Sequence, residues 1–309
     1  MKKVCVIGGA GFLGSHVCDQ LSESGYQVLV YDRTVSPWLR SGQTMVEADI
    51  LDEMALNDAI AGCDVVYNFA AIADLNEALT KPLETVRVNI LGNVQVREAC
   101  RKHRVRRYVY ASTVYVYSRE GGFYRCSKQS AEHYVEEYQA AFGLDYTVLR
   151  YGSLYGPRSD SHNGLWRLVK EALETGRIRY AGSPEAMREY IHVEDAARAS
   201  VAALGDEFCN QHVVLTGQEP MRVMDLLKML AEILGMPQAV EFEETDYAGH
   251  YIRTPYAYQP KLGRKYVPPM HVDLGQGLLQ LIGEIQHRDM NNAQQSCCTI
   301  RDVTPEQRR

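Results

Sequence analysis

The sequence predicts an α/β fold: a doubly wound parallel sheet with a smaller, mixed C-terminal domain. Three observations predict it. Short apolar runs alternate with helical periodicity through the first half of the chain. A glycine triplet stands between the first run and the first helical pattern. Past Ser153 the alternation loosens into segments rich in Gly, Pro and aromatic residues.

Taken in order, "KVCVIG" is a β-rich apolar run, and "GFLGSHVCDQLSESG" carries helical periodicity closed by a glycine. "YQVLVYD" is a second strand. "DEMALNDAIAGC" reads as a helix and "DVVYNFAA" as a strand. "ETVRVNILGNVQVREACRKH" reads as one long helix and "RRYVYAST" as the next strand. "KQSAEHYVEEYQAAFG" is again helical and glycine-ended, and "DYTVLRYG" is a strand. Apolar strands alternating with helices imply a parallel sheet covered on both faces.

"SLYGPRSDSHNG" is then a loop, with a helix near Leu165–Glu174. "REYIHVEDAARASVAAL" is a strand leading into a helix, and "MRVMDLLKMLAEILG" is an amphipathic helix with a candidate cap at its start. The segment from Thr245 to Pro269 is aromatic and Pro-rich, "DLGQGLLQLIGEIQ" is a last helix, and 289–309 is polar enough to be a disordered tail. The expected division is residues 1–153 plus about 189–216 in the sheet domain, and about 154–188 plus 217–288 in the smaller one.

The 309 residues are 46% hydrophobic and 23% charged, with a net charge of −6. That fits a globular enzyme and offers no surface for nucleic acid or an anionic membrane. The basic run Arg101–Arg107 lies between a helix pattern and a strand and reads as a solvated connection. The 8 cysteines are scattered, several inside apolar runs, which is a reduced, cytoplasmic pattern. No metal-ligand spacing is present, and no signal peptide or membrane span is expected.

In "VIGGAGFLGSH", Gly8, Gly11 and Gly14 are spaced G-x-x-G-x-x-G between strand and helix. Glycines there let backbone N–H groups approach a pyrophosphate at a helix N-terminus. The second strand ends in Asp32, where a carboxylate accepts from ribose hydroxyls and repels a 2′-phosphate. That points to NAD over NADP, while Arg33 beside it pulls the other way.

"STVYVYSREGGFYRCSK" ends in Tyr-x-x-x-Lys, Tyr124 and Lys128. In a chain with 20 Tyr the pair alone is weak, so its position has to decide. At i and i+4 on a helix the two side chains share one face. A tyrosine must lose about 3 units from its ordinary pKa to act as a base at neutrality, roughly 4 kcal/mol of phenolate stabilisation. A nearby ammonium and a positive nicotinamide have the right sign. Thr113 ends the preceding strand, where its hydroxyl can hold the same substrate oxygen.

With these residues in view, the chain resembles the extended short-chain dehydrogenase/reductases of the nucleotide-sugar epimerase/dehydratase family. The resemblance is carried over residues 1–200 by "GGAGFLGSH", Asp32, "ADI", "NFAA", "VNILGN", "YASTVYVYS", "YRCSK", "LRYGSLYGPR" and "REYIHVEDAA". It implies a Rossmann domain and NAD as cofactor. It places Gly8, Gly11, Phe12, Leu13 and Gly14 at the pyrophosphate, Asp32 and Arg33 at the ribose, and Asp49 and Ile50 beside adenine. Phe69, Ala70, Ala71, Asn89 and Tyr151 would line the cofactor together with Tyr124 and Lys128.

The resemblance also implies Thr113, Tyr124 and Lys128 as the catalytic group. Related dehydratases carry Asp-Glu after the threonine and related decarboxylases Ser-Glu. Here Val114 and Tyr115 stand there, and neither does that acid-base work at neutral pH. The expected activity is therefore a nucleotide-sugar 4-epimerase. A 4-dehydrogenase or 4-ketosugar reductase on the same site is the alternative, ahead of a 4,6-dehydratase or a non-catalytic NAD-binding protein.

On the substrate side the resemblance points to Ser153 and Arg188 at the diphosphate; Arg253 reads either as a second phosphate contact or as a solvated loop arginine. Ser153 stands where the family often has Asn, and the family's arginine-glycine-aspartate stretch near the C-terminus is missing. A homodimer is expected through the helices at Val86–His103 and Tyr124–Phe142, with Tyr134, Val135 and Tyr138 in either the seam or the core.

Overall fold

The computed structural model describes residues 2–236 and 239–243. Arg253, the aromatic segment from Thr245, the last expected helix and the tail lie outside the described residues. In chain order, β1 (Lys3–Ile7) leads into α1 (Phe12–Glu23), β2 (Gln27–Asp32), β3 (Thr44–Glu47), α2 (Glu53–Ile60) and β4 (Val65–Asn68). Then come α3 (Leu75–Thr80), α4 (Pro82–Val86), a π-helical turn (Arg87–Gly92), α5 (Asn93–Lys102), β5 (Arg107–Thr113) and α6 (Gly122–Phe142). β6 (Tyr146–Tyr151), β7 (Ser153–Tyr155), α7 (Gly164–Thr175), β8 (Ile178–Ala181), β9 (Met187–Arg188) and β10 (Tyr190–His192) follow. The described part closes with α8 (Val193–Ala202), β11 (Gln211–Leu215), β12 (Met221–Arg222), α9 (Val223–Ile233) and β13 (Val240–Glu243).

Seven strands form one sheet in the order β11-β6-β5-β4-β1-β2-β3, with every pairing parallel. This is the doubly wound Rossmann arrangement, and the order reverses between β1 and β4. Register aligns Ile7 with Tyr31 and Asn68, and Thr113 with Tyr151, so these strand ends share one edge. One face is covered by α2, α5 and α6, through Leu56, Ile60, Val96, Ala131 and Val135. The other is covered by α1 and α8, through Val17, Leu21, Val193 and Ala196. A third, separate core joins α7, β8, α9 and β13 around Ile178, Val223 and Leu227.

The structure departs from the sequence expectation in several places, among them the expected loop "SLYGPRSDSHNG", which begins with β7 because Ser153–Tyr155 pair with β10. β3 was not expected; Met45 and Val46 are half-buried and Thr44 and Glu47 exposed, and edge pairing rather than apolar pattern forms it. The expected long helix is broken into α4, a π turn and α5, because Asn89 is drawn to other elements and Gly92 packs against the Ile50 side chain. α9 follows Arg222 with no side-chain cap; its first N–H groups, on Val223 and Met224, donate to Ala186 O and Pro184 O instead.

The turn after β1 depends on two glycines. Gly8 has φ +77°, and a Cβ there would stand 2.5 Å from the Ala70 nitrogen. A Cβ on Gly14 would stand 2.1 Å from the Gly8 carbonyl oxygen. Both clashes are with backbone, which cannot turn aside. Gly14→Ala is therefore expected to lower Tm by roughly 10 °C, from an overpacking cost of about 3 kcal/mol. An unchanged thermal melt would contradict this account of the turn.

Candidate functional site

The glycine turn opens α1, and the start of that helix is left bare. Gly11 caps it with no side-chain bond, and no acidic residue lies in the first turn. Free N–H groups at a positive helix end form an anion site. Phe12 and Leu13 form the first turn, Leu13 buried. Asp32 Oδ2 accepts from Ala10 N at 3.0 Å, and Oδ1 accepts from Thr34 N and Oγ1 at 3.2 Å. The carboxylate at the end of β2 is thus tied to the turn itself. Arg33 is exposed beside it. Glycines, bare helix end and carboxylate together fit a dinucleotide.

Asp49 is exposed and Ile50 buried at the same edge; Asp49 O accepts from the Tyr31 hydroxyl at 2.7 Å. Phe69, Ala70 and Ala71 follow β4 and are half-buried. Asn89 spends its side chain inside the protein. Its Oδ1 accepts from Ile72 N at 2.8 Å, and its Nδ2 donates to Ile72 O at 3.0 Å and Ser127 Oγ at 2.9 Å. It fastens the loop after β4 to α6. Tyr151 points its hydroxyl to Ser200 Oγ, 2.7 Å away, and its ring packs in the α1/α8 core.

Thr113, Tyr124 and Lys128 meet at the same sheet edge. Thr113 ends β5 and its hydroxyl accepts from Tyr115 N at 3.3 Å. Tyr124 lies in the first turn of α6 and retains some accessible surface. Its neighbours still enclose it enough for desolvation to push the phenol up to about 12, against which the Thr113 hydroxyl acts. Lys128 is buried. Its Nζ donates to Ala111 O at 2.6 Å and stands 4.8 Å from the Tyr110 ring centre and 5.8 Å from that of Tyr124. Burial pulls the ammonium down to about 7, opposed by the Glu132 carboxylate. A proton can therefore pass between this pair and a substrate hydroxyl once positive charge arrives to favour the phenolate.

One turn further along α6 lies a group that the motif reading missed. Glu132 is buried and accepts from Ser112 Oγ at 2.5 Å and from Arg150 Nη2 and Nε at 2.6 and 3.1 Å. Arg150 also donates to the Tyr117 hydroxyl, and its Nη2 stands 2.7 Å from His212 Nδ1. Burial alone would raise the Glu132 carboxyl; hydrogen bonds from His212, Arg150 and Ser112 and the Arg150 charge outweigh it and hold it at about 2. The Tyr124–Lys128–Glu132 spacing of four was the available signal; the partners on β5, β6 and β11 had none.

On the substrate side, Ser153 is half-buried at the start of β7, with its N–H donated to Glu189 O at 3.1 Å. Arg188 is buried on β9, its Nη1 donating to Met187 O at 2.9 Å. Val114 is buried, and the Tyr115 ring lies edge-on to Tyr124, centres 6.4 Å apart. No cluster that could hold a metal, and no helix long and apolar enough to cross a membrane, occurs among the described residues.

The fold and its glycine turn define a dinucleotide-dependent enzyme. More particularly, the chain belongs to the NAD dependent epimerase/dehydratase family, whose model matches residues 4–215. A putative UDP-glucose 4-epimerase from Methanocaldococcus jannaschii is 28% identical over 251 residues, covering 73% of this chain and 81% of its own. The solved UDP-glucose 4-epimerase of Thermotoga maritima with UDP-glucose superposes with a TM-score of 0.75 at 28% identity, over 83% of this chain and 90% of that one. The UDP-glucuronic acid 4-epimerase of Bacillus cereus, solved with UDP-glucuronic acid and NAD, gives 0.75 at 27%, over 84% and 95%. Other matches are named 4,6-dehydratase and decarboxylase.

Glu132 has a folded pKa below its unfolded one, so its stabilisation is complete above pH 4.5 and is lost as pH falls toward about 2. The wild type is expected to lose on the order of 3 kcal/mol of its margin over Glu132→Gln across that window. Urea unfolding of both proteins along a pH series checks it; a constant difference would refute it.

Proposed function

We propose that this chain is an NAD-dependent nucleotide-sugar 4-epimerase. The observation that carries this reading is the meeting of Thr113, Tyr124 and Lys128 at the sheet edge while Val114 and Tyr115 occupy the next two positions. Proton transfer at one sugar hydroxyl is provided for. An acid and a base for elimination at C5–C6 are not provided at those two positions.

In this reading the pyrophosphate of NAD is held at Gly8, Gly11 and Gly14 and the α1 amides, with Phe12 and Leu13 in that turn. Asp32 takes the adenosine ribose, with Arg33 flanking it. Asp49 and Ile50 flank adenine. Phe69, Ala70 and Ala71 wall the crevice, and Asn89 and Tyr151 brace it through Ile72, Ser127 and Ser200. Bound NAD supplies the acceptor and later the donor of the C4 hydride. Tyr124 holds the C4 hydroxyl proton while the ketone exists and returns it afterwards. Thr113 fixes the oxygen, and the Lys128 ammonium favours the phenolate. Ser153 and Arg188 lie toward the diphosphate. The named neighbours bind UDP-sugars, so UDP-sugars come first in a substrate panel.

The assembly we propose is a homodimer through α4 to α6. Leu83, Val86, Leu91, Tyr134 and Phe142 are exposed there, while Val135 and Tyr138 turn into the core. Exposed apolar residues gathered on adjacent helices favour a partner surface.

Tyr124→Phe is expected to slow interconversion of C4-epimeric nucleotide sugars by at least roughly a hundredfold. NAD released on denaturation should approach one per wild-type chain, since an epimerase recycles its hydride. An empty site combined with net NADH formation on a nucleotide sugar would replace the epimerase with a 4-dehydrogenase or 4-ketosugar reductase.

A further inference from the structure

The helix that carries Tyr124 presents four ionisable side chains at successive turns: Tyr124, Lys128, Glu132 and Glu136. Each lies one turn deeper behind the sheet edge. β5 answers them with consecutive residues. Thr113 addresses Tyr124, the Ala111 carbonyl takes Lys128, and the Ser112 hydroxyl takes Glu132. Glu136 is exposed, with His212 Nε2 3.0 Å from its carboxylate, so the row ends in solvent.

We propose that Glu132 is a positioning residue for the reaction: it keeps the charge on Lys128 beneath the Tyr124 ring and, through Ser112, locks the strand end that bears Thr113. The proposal rests on the Thr113, Tyr124, Lys128 reading above. Every element packed around Glu132 contributes to the balance. Lys128 and Glu136 lie on its own helix, Ser112 on β5, Arg150 on β6 and His212 on β11, with Tyr117 beyond Arg150. Around Lys128 the facing groups are the Tyr110 and Tyr124 rings and the Ala111 carbonyl. None of those three carries a full negative charge while the phenol is protonated. The carboxylate one turn away is therefore the countercharge for a buried ammonium. Arg150, which pairs with the same carboxylate, keeps it ionised at any working pH.

Without the Glu132 charge, Lys128 gives up its proton at lower pH. In NAD-loaded protein, where the nicotinamide charge lets the phenol ionise beside the ammonium, earlier loss of that ammonium leaves Tyr124 to ionise at higher pH. A residue that merely packs would change none of this.

The test reads Tyr124 directly in NAD-loaded protein, as the near-ultraviolet phenolate absorbance of each protein minus that of its Tyr124→Phe counterpart. Glu132→Gln keeps the size and the Ser112 acceptor and removes the charge. Its phenolate midpoint is expected to move up by on the order of one pH unit. The alkaline limb of kcat/KM on the active nucleotide sugar moves down. Glu137→Gln, an exposed position on the same helix, removes an equal charge and leaves both in place. If Glu132→Gln does not fold, Glu132→Gln with Arg150→Gln removes the pair together and is expected to move the midpoint in the same direction. A midpoint that stays with the wild type in whichever of these folds, or that moves equally in Glu137→Gln, overturns the proposal. Failure of the epimerase reading shows separately, as absent turnover with the phenolate shift intact.

Discussion

Seven strands run in one direction, and that constraint shapes everything else in the described chain. A parallel sheet gathers all of its carboxyl ends at one edge and needs a crossover, usually a helix, to return each strand to the other. Ile7, Asp32, Asn68, Thr113 and Tyr151 therefore end together, although they are far apart in sequence. The edge contains a bare helix N-terminus, a carboxylate and a hydroxyl before any ligand is considered. The crevice opens where the order reverses, between β1 and β4, and the contact of Gly8 with Ala70 joins the two strands there.

The face covered by α6 has the harder electrostatic problem. An ammonium, a guanidinium and a carboxylate are all withdrawn from water near Lys128. Burying charge is unfavourable unless each charge is paired and bonded. Glu132 satisfies this with three donated bonds from two strands, and Lys128 with the Ala111 carbonyl and the Tyr110 ring. The consequence is a lysine near its titration point at neutral pH and a tyrosine far from its own. Such a pair does little until a positive nicotinamide and a substrate oxygen complete it.

The π turn between α4 and α5 shows how local irregularity serves that arrangement. The π turn at Arg87–Gly92 turns Asn89 so that one amide bridges Ile72 and Ser127. Ser127 precedes Lys128, and Ile72 follows the Phe69–Ala71 wall. A regular helix through the same residues would have spaced that amide differently.

The sequence by itself determined the alternation of strands and helices, the glycine turn, Asp32 and the tyrosine–lysine pair. These are local: each depends on periodicity or on a spacing of a few residues, which the chain carries in its own order. It did not show β3, whose edge residues lack an apolar signal, or the π break, which depends on contacts of Asn89 with Ile72 and Ser127. Nor did it show the group around Glu132, because Ser112, Arg150 and His212 come from three strands and are neighbours only across the sheet. Only the tertiary structure decided that Asn89 and Tyr151 turn their polar atoms inward and that the buried Lys128 ammonium bonds the Ala111 carbonyl. Hydrogen bonds and desolvation act through space, and space is assigned only when the sheet has formed.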